Sequence, residues 1–119
     1  MDSMNILSKD SILNAQDLRR EVVEVPEWGE GAAVLVGELS AAGRLKFAES
    51  IKEEGNRDKT YIALAVTHFI INEDGGRMFD DDSADALAGK SLQVLKRIFD
   101  KAQALNLVED AAMSDTAKK

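Results

Sequence analysis

Residues 22 to 47 constrain the fold more than any other stretch. Val23 and Val25 alternate with Glu24, the period-two pattern of a strand with one face buried. Pro26 cannot donate to a strand ladder, so the strand ends there or lies on an edge. Trp28, Gly29, Glu30 and Gly31 supply a turn, and Ala33, Val34, Leu35 and Val36 read as the returning strand. Two strands alone are marginal in water, so the hairpin needs a helix to lie on. Ser40 is placed to cap such a helix, with Leu39 packing back on its first turn. Leu45, Phe47, Ala48 and Ile51 are its apolar positions, and Gly43 weakens its start by about 1 kcal/mol against alanine.

Upstream, Ser8 and Asp10 open a short helix whose Ile12, Leu13 and Ala15 form one narrow apolar edge. Downstream, Tyr61, Ile62, Leu64, Ala65, Val66, Phe69 and Ile70 cover most of a helix circumference and leave Thr60, Ala63 and Thr67 as a weakly polar stripe. A helix apolar on nearly every side is central or bears an interface. Phe69 to Ile71 has strand character and turns through Asp74, Gly75 and Gly76 toward Met78 and Phe79, which allows a second short hairpin. Asp80 to Ser83 start a short segment that ends at Gly89. Ser91 caps a longer helix with Leu92, Leu95, Phe99 and Ala102 along one stripe, widened by Val94, Ile98 and Leu105. These elements predict an α+β fold: one small, helix-rich domain over 1–107, with a polar tail over 108–119 expected to be disordered.

A chain of 119 residues suits one domain, and its zero cysteines exclude disulfides, thiolate ligands and a cysteine nucleophile. A formal net charge of -7 opposes phosphate backbones and anionic lipid, so neither nucleic acid nor membrane is an expected partner. The apolar run Tyr61 to Val66 is too short to span a bilayer.

Candidate chemistry is sparse. His68 is the only histidine, and a surface or cap role suits it better than general-base catalysis, which needs an orienting partner. The acids at 73–74 and 80–85 lack the alternating oxygens and terminal glutamate of a calcium loop, and Gly75 and Gly76 lack the lysine and hydroxyl of a phosphate loop. No catalytic, metal or cofactor residue is assigned. Trp28 either caps the core beneath the hairpin or stands out as an interface anchor.

The segment Val23-Glu24-Val25-Pro26-Glu27-Trp28-Gly29, then Val34 and Val36 leading into Glu38-Leu39-Ser40 with Arg44 and Phe47 behind, resembles the tail assembly chaperones of long-tailed (siphovirus-type) bacteriophages and prophages. The likeness extends through Lys9, Ile12 and Leu13, through Asn72 to Phe79, and through Leu87, Lys90-Ser91, Leu95, Arg97-Ile98-Phe99, Ala102 and Leu105-Asn106. Gly43 departs from it where an acid is expected, and Leu107 where a glycine often follows the asparagine.

The resemblance implies a non-enzymatic protein, absent from the mature virion, in the cytoplasm of the bacterial host. Its partner would be the tail tape-measure protein, kept soluble for tail-tube polymerisation. A frameshifted longer form would recruit the tail-tube protein, this chain being the short form, and self-association into a homo-oligomer is allowed. The candidate client contacts are Trp28, Leu35, Phe47, Tyr61 and Phe69. The alternative is a small acidic adaptor or regulatory protein-binding module with an unrelated partner.

Overall fold

The computed structural model describes residues 4–118, and the side-chain surroundings of residues 4–106. The elements run α1 (Lys9–Asn14), β1 (Arg20–Glu24), a 3-10 turn (Pro26–Trp28), β2 (Ala33–Gly37), α2 (Ala41–Lys52), a 3-10 turn (Glu54–Asn56), α3 (Tyr61–Phe69), β3 (Ile70–Ile71), a 3-10 turn (Asp81–Ser83), α4 (Ala84–Leu87) and α5 (Leu92–Lys118). The tail expected over 108–119 falls where side-chain surroundings are not described.

Local chemistry sets the helix starts. The Ser8 hydroxyl accepts from the Ser11 amide at 3.2 Å, and Ser40 accepts from the Gly43 amide at 3.0 Å. Each satisfies one of the amide groups that a helix N-terminus leaves without a partner. A side chain at position 43 would bring its Cβ to 3.3 Å from the Ser40 hydroxyl, so glycine eases the cap it was expected only to weaken.

The sheet is antiparallel with β2 in the middle. β1 begins at Arg20, earlier than the alternation of valines suggests, because pairing continues through Arg20 opposite Gly37 and the Glu38 amide donates to the Arg19 carbonyl at 2.8 Å. The second hairpin is shorter than expected: β3 pairs with β2 at Leu35 and Val36, and its return is a single bridge between Ile71 and Arg77. Gly37 makes the β2–β3 approach possible, since a Cβ there would lie 2.9 Å from Ile71 Cδ1.

Alternation gives the sheet two unlike faces. Val23, Val25, Val36 and Ile70 are buried toward α3 and α5, with Val34 packed beside them. Val22, Leu35 and Ile71 stand opposite one another on the other face.

α3 is the centre of the core. Every residue from Ala63 to Phe69 is buried, including Ala63 and Thr67 of the stripe expected to be polar. Thr67 is tolerated there because its hydroxyl donates to the Leu64 carbonyl at 2.6 Å. Phe69 sits 5.7 Å from the Phe47 ring and 6.1 Å from the Phe99 ring. α2, by contrast, buries only Phe47 and Ser50, and Leu45 and Ile51 are exposed, against the expected face. Leu92 is likewise exposed at the start of α5, while Val94, Leu95, Ile98, Ala102 and Leu105 are buried. The side chain of Asn106 joins the ends of the fold: its oxygen accepts from the Leu39 amide at 3.1 Å and its amide donates to the Ala102 carbonyl at 2.8 Å.

These positions predict opposite outcomes for two truncations of large apolar side chains. Phe69→Ala is expected to lower unfolding free energy by about 3–5 kcal/mol, and Leu45→Ala by less than about 0.5 kcal/mol. Urea unfolding followed by circular dichroism checks both.

Candidate functional site

Three clusters of side chains stand out. The first surrounds Asp81, which draws α2, α3 and the chain after β3 together. Arg77 donates to Asp81 Oδ1 at 2.6 Å and Ser50 donates to Oδ2 at 2.7 Å. Asn56 donates to the same Oδ2 at 3.3 Å and to the Ser50 carbonyl at 2.9 Å. Arg77 also donates to the Thr67 carbonyl and hydroxyl, each at 2.9 Å. Burial pushes the Asp81 carboxyl up, but the hydrogen bonds from Arg77 and Ser50 outweigh it and hold the group at about 2.

His68 belongs to this cluster, which corrects the expected surface or cap placement: it is 4% exposed and packs with its ring tilted 5.0 Å from the Phe47 ring. Its Nε2 lies 3.0 Å from Asp81 Oδ1 yet makes no aligned hydrogen bond. Burial is the main cause lowering its pKa, Arg77 adds to it, and Asp81 works against both. Ser50 is hydrogen-bonded to the carboxylate rather than to the imidazole, and a carboxyl held at about 2 is a poor base for a hydroxyl. The arrangement ties elements together rather than activating a nucleophile. Among the described residues no group of three or more His, Cys, Asp or Glu is placed to hold a metal ion.

The second cluster fixes the hairpin turn. Pro26 opens the 3-10 turn, the Trp28 amide donates to the Val25 carbonyl at 3.0 Å, and Gly31 adopts φ of 71°, a conformation that favours glycine. Arg97 of α5 grips Glu27 with two hydrogen bonds of 2.8 and 2.6 Å and donates to the Glu24 carbonyl at 3.2 Å. The Arg97 hydrogen bond is the main cause that lowers the Glu27 carboxyl to about 2. Trp28, one residue on, is 38% exposed and lies outside the core.

The third is the outer sheet face. Val22 is 60% exposed, Ala33 is exposed, and Leu35 and Ile71 are half-buried. Where this face meets the chain entering β1, a cleft of about 300 Å³ is lined by Leu18, Gly37 and Ile71 together with Asp17, Glu38 and Asp74. Arg19 donates to Glu38 at 3.2 Å and also to the Leu105 carbonyl, pinning the chain at this corner. Beyond it, residues 4–18 are exposed throughout, including Leu7, Ile12, Leu13 and Leu18.

The five sequence candidates are therefore dispersed. Leu35 lies mid-row on the outer sheet face and Trp28 on the hairpin turn. Tyr61 is 52% exposed, its ring 6.3 Å from Phe47 and 6.1 Å from Phe99. Phe47 and Phe69 are buried and support the surface from beneath. Val22 lies beside Leu35 through the β1–β2 register and Ile71 through the β2–β3 register, so the row is visible only once both registers are known.

A family model described as phage tail assembly chaperone matches residues 8–119. The chain belongs to that family. The structure of the bacteriophage HK97 tail assembly chaperone is similar to this one with a TM-score of 0.53 and 24% sequence identity, covering 81% of this chain and 90% of that one. At that identity the likeness shows the fold. No curated protein matches the chain in sequence. For this tail assembly chaperone the geometry thus offers apolar surface at the hairpin turn, on the sheet, at Tyr61 and along the N-terminal arm, among other places. No helix among the described residues is long and apolar enough to cross a membrane.

The Asp81 cluster makes acid destabilising. His68 is held below its ordinary value of 6.5, so as pH falls through 6.5 the unfolded chain takes up a proton that the folded chain refuses. Asp81 adds a second loss as pH falls from the ordinary 3.8 toward about 2. In urea titrations His68→Gln is expected to shrink the loss of stability between about pH 7 and about pH 5. Asp81→Asn is expected to cost about 1–3 kcal/mol near neutral pH. Arg97→Met is expected to leave the unfolding midpoint near that of the parent while raising acrylamide quenching of Trp28 fluorescence, because it releases the turn and not the core.

Proposed function

We propose that this tail assembly chaperone binds the phage tape-measure protein and keeps it soluble until tail-tube subunits polymerise around it, acting in the host cytoplasm and leaving before the particle is complete. The observation that carries this reading is exposed apolar surface on a body whose core is already filled. Trp28, Leu35 and Tyr61 offer side chains to a client, while Phe47 and Phe69 hold the surface in place through packing. An apolar surface needs no reactive group to shield an aggregation-prone segment, because burial of client side chains is itself favourable, at about 25 cal/mol per Å². The net charge of -7 keeps coated clients apart through mutual repulsion. A longer, frameshifted product of the same gene would add a segment that recruits tail-tube subunits.

Co-expression with the tape-measure protein of the same phage tests this. The client is expected in the soluble fraction only when this chain is present, and Trp28→Ala with Tyr61→Ala is expected to lower that fraction while the chaperone, which loses the packing of Tyr61 on Phe47 and Phe99, stays folded by circular dichroism. A client equally insoluble with and without the chain would defeat the reading.

A further inference from the structure

We propose that residues 72–83 form a strap latched across the end of α3 by Arg77 and Asp81, and that protonation of His68 releases the strap while the rest of the domain stays folded. None of residues 71–83 is buried, and Phe79 is the strap's apolar hold on the core. Its turns close on themselves: the Asn72 amide donates to the Gly76 carbonyl at 2.7 Å, the Gly75 amide to the Asn72 carbonyl at 2.9 Å and the Ser83 amide to the Asp80 carbonyl at 3.1 Å. Backbone ties to the body are few. The Met78 amide donates to the Ile70 carbonyl at 3.2 Å, and Arg77 forms a single bridge with Ile71. Arg20 adds an exposed hydrogen bond to the Glu73 carbonyl at 2.9 Å. A segment with so little buried surface opens at a lower free energy than the core beneath it.

The latch is the polar contact with α3 and α2. Arg77 holds the Thr67 carbonyl and hydroxyl, and Asp81 holds Ser50 and Asn56. Arg77 and His68 Nε2 both approach Asp81 Oδ1, at 2.6 and 3.0 Å, and Nε2 is buried without an aligned hydrogen bond. A proton on the ring puts a second cation beside the guanidinium, at a site withdrawn from water. Opening the strap gives that cation its hydration, so acid favours the open form.

The surrounding charges do not reverse this. Asp81 favours the imidazolium, but Arg77 opposes it and already occupies the same oxygen. Lys46 and Glu38 line the cleft of about 210 Å³ that His68 and Arg77 also line, and Glu38 is held by Arg19. Glu53 is reached only through Asn56, at 3.4 Å. On α4, Asp85 is exposed, and on α5 Lys96 pairs with Asp100, Arg97 with Glu27 and Lys101 with Glu21. Burial therefore decides the sign.

Deuterium uptake of the full chain, read by mass spectrometry at pH 7.5 and pH 5.5 with labelling times scaled to the intrinsic exchange rate, tests the proposal. Peptides from the strap are expected to exchange about tenfold faster at pH 5.5, because an exposed histidine there carries about ten protonated rings for each neutral one. Peptides from residues 92–105 of α5 are expected to keep their protection. Arg77→Met is expected to speed strap exchange about tenfold or more at pH 7.5, and His68→Gln to remove the pH dependence.

Loss of protection in strap and α5 together would mean that acid unfolds the whole domain, and the proposal would be overturned. Equal strap exchange at the two pH values in the parent overturns it too, as does an Arg77→Met strap as protected as the parent's. His68→Gln that keeps the full pH dependence removes His68 as the trigger. Because the chain has one histidine, its imidazole signal in nuclear magnetic resonance is a second measurement that needs no variant. That signal is expected to titrate over the same pH range in which the strap loses protection; an imidazole that titrates while the strap stays protected defeats the idea.

Discussion

The burial of α3 on every side is the constraint from which the rest of the fold follows. Seven consecutive residues from Ala63 to Phe69 are withdrawn from water, so neighbours are needed around the whole circumference. α2, α4 and α5 supply them together with the inner side of the sheet. The described helices that pack on the sheet are thereby drawn to one of its faces. The sheet's other face keeps Val22 and Ala33 in contact with solvent.

Such a helix could be wholly aliphatic, but this one carries Thr67 and His68 within it. Thr67 donates to the Leu64 carbonyl of its own helix and accepts from Arg77, whereas His68 Nε2 lies 3.0 Å from Asp81 without an aligned hydrogen bond. Arg77 and Asp81 arrive from the chain after β3, which folds back over the end of α3 to deliver them. Ser50 and Asn56 complete the set from α2 and the turn behind it. The polar cluster thus explains why α2 turns Ser50 inward and leaves Leu45 and Ile51 in water.

What could be read from the sequence divides along the range of the interactions. Ser8, Ser40 and Pro26 act on their immediate neighbours, and the helix starts and the strand end they imply are present. The first hairpin follows from alternation and a turn, again local. Which apolar residues turn inward depends on partners far along the chain, and there the pattern misled: Leu92 lies outside and Ala63 inside. The aromatic candidates show the same split. Tyr61 and Trp28 reach the surface, whereas Phe47 and Phe69 are consumed by a core that has few other large rings. Leu35 was identified, but the row that gives it meaning exists only once β2 is paired to both β1 and β3.

The N-terminal arm carries a consequence of another kind. α1 has six residues, and none of them is buried. A helix that short is marginal in water even with the Ser8 cap, so any partner that engages it must also order it, at about 1–2 kcal/mol for each residue fixed. Contacts made through the arm accordingly extend the reach of the molecule more than they strengthen its hold. Binding of that kind forms from a distance and lets go quickly.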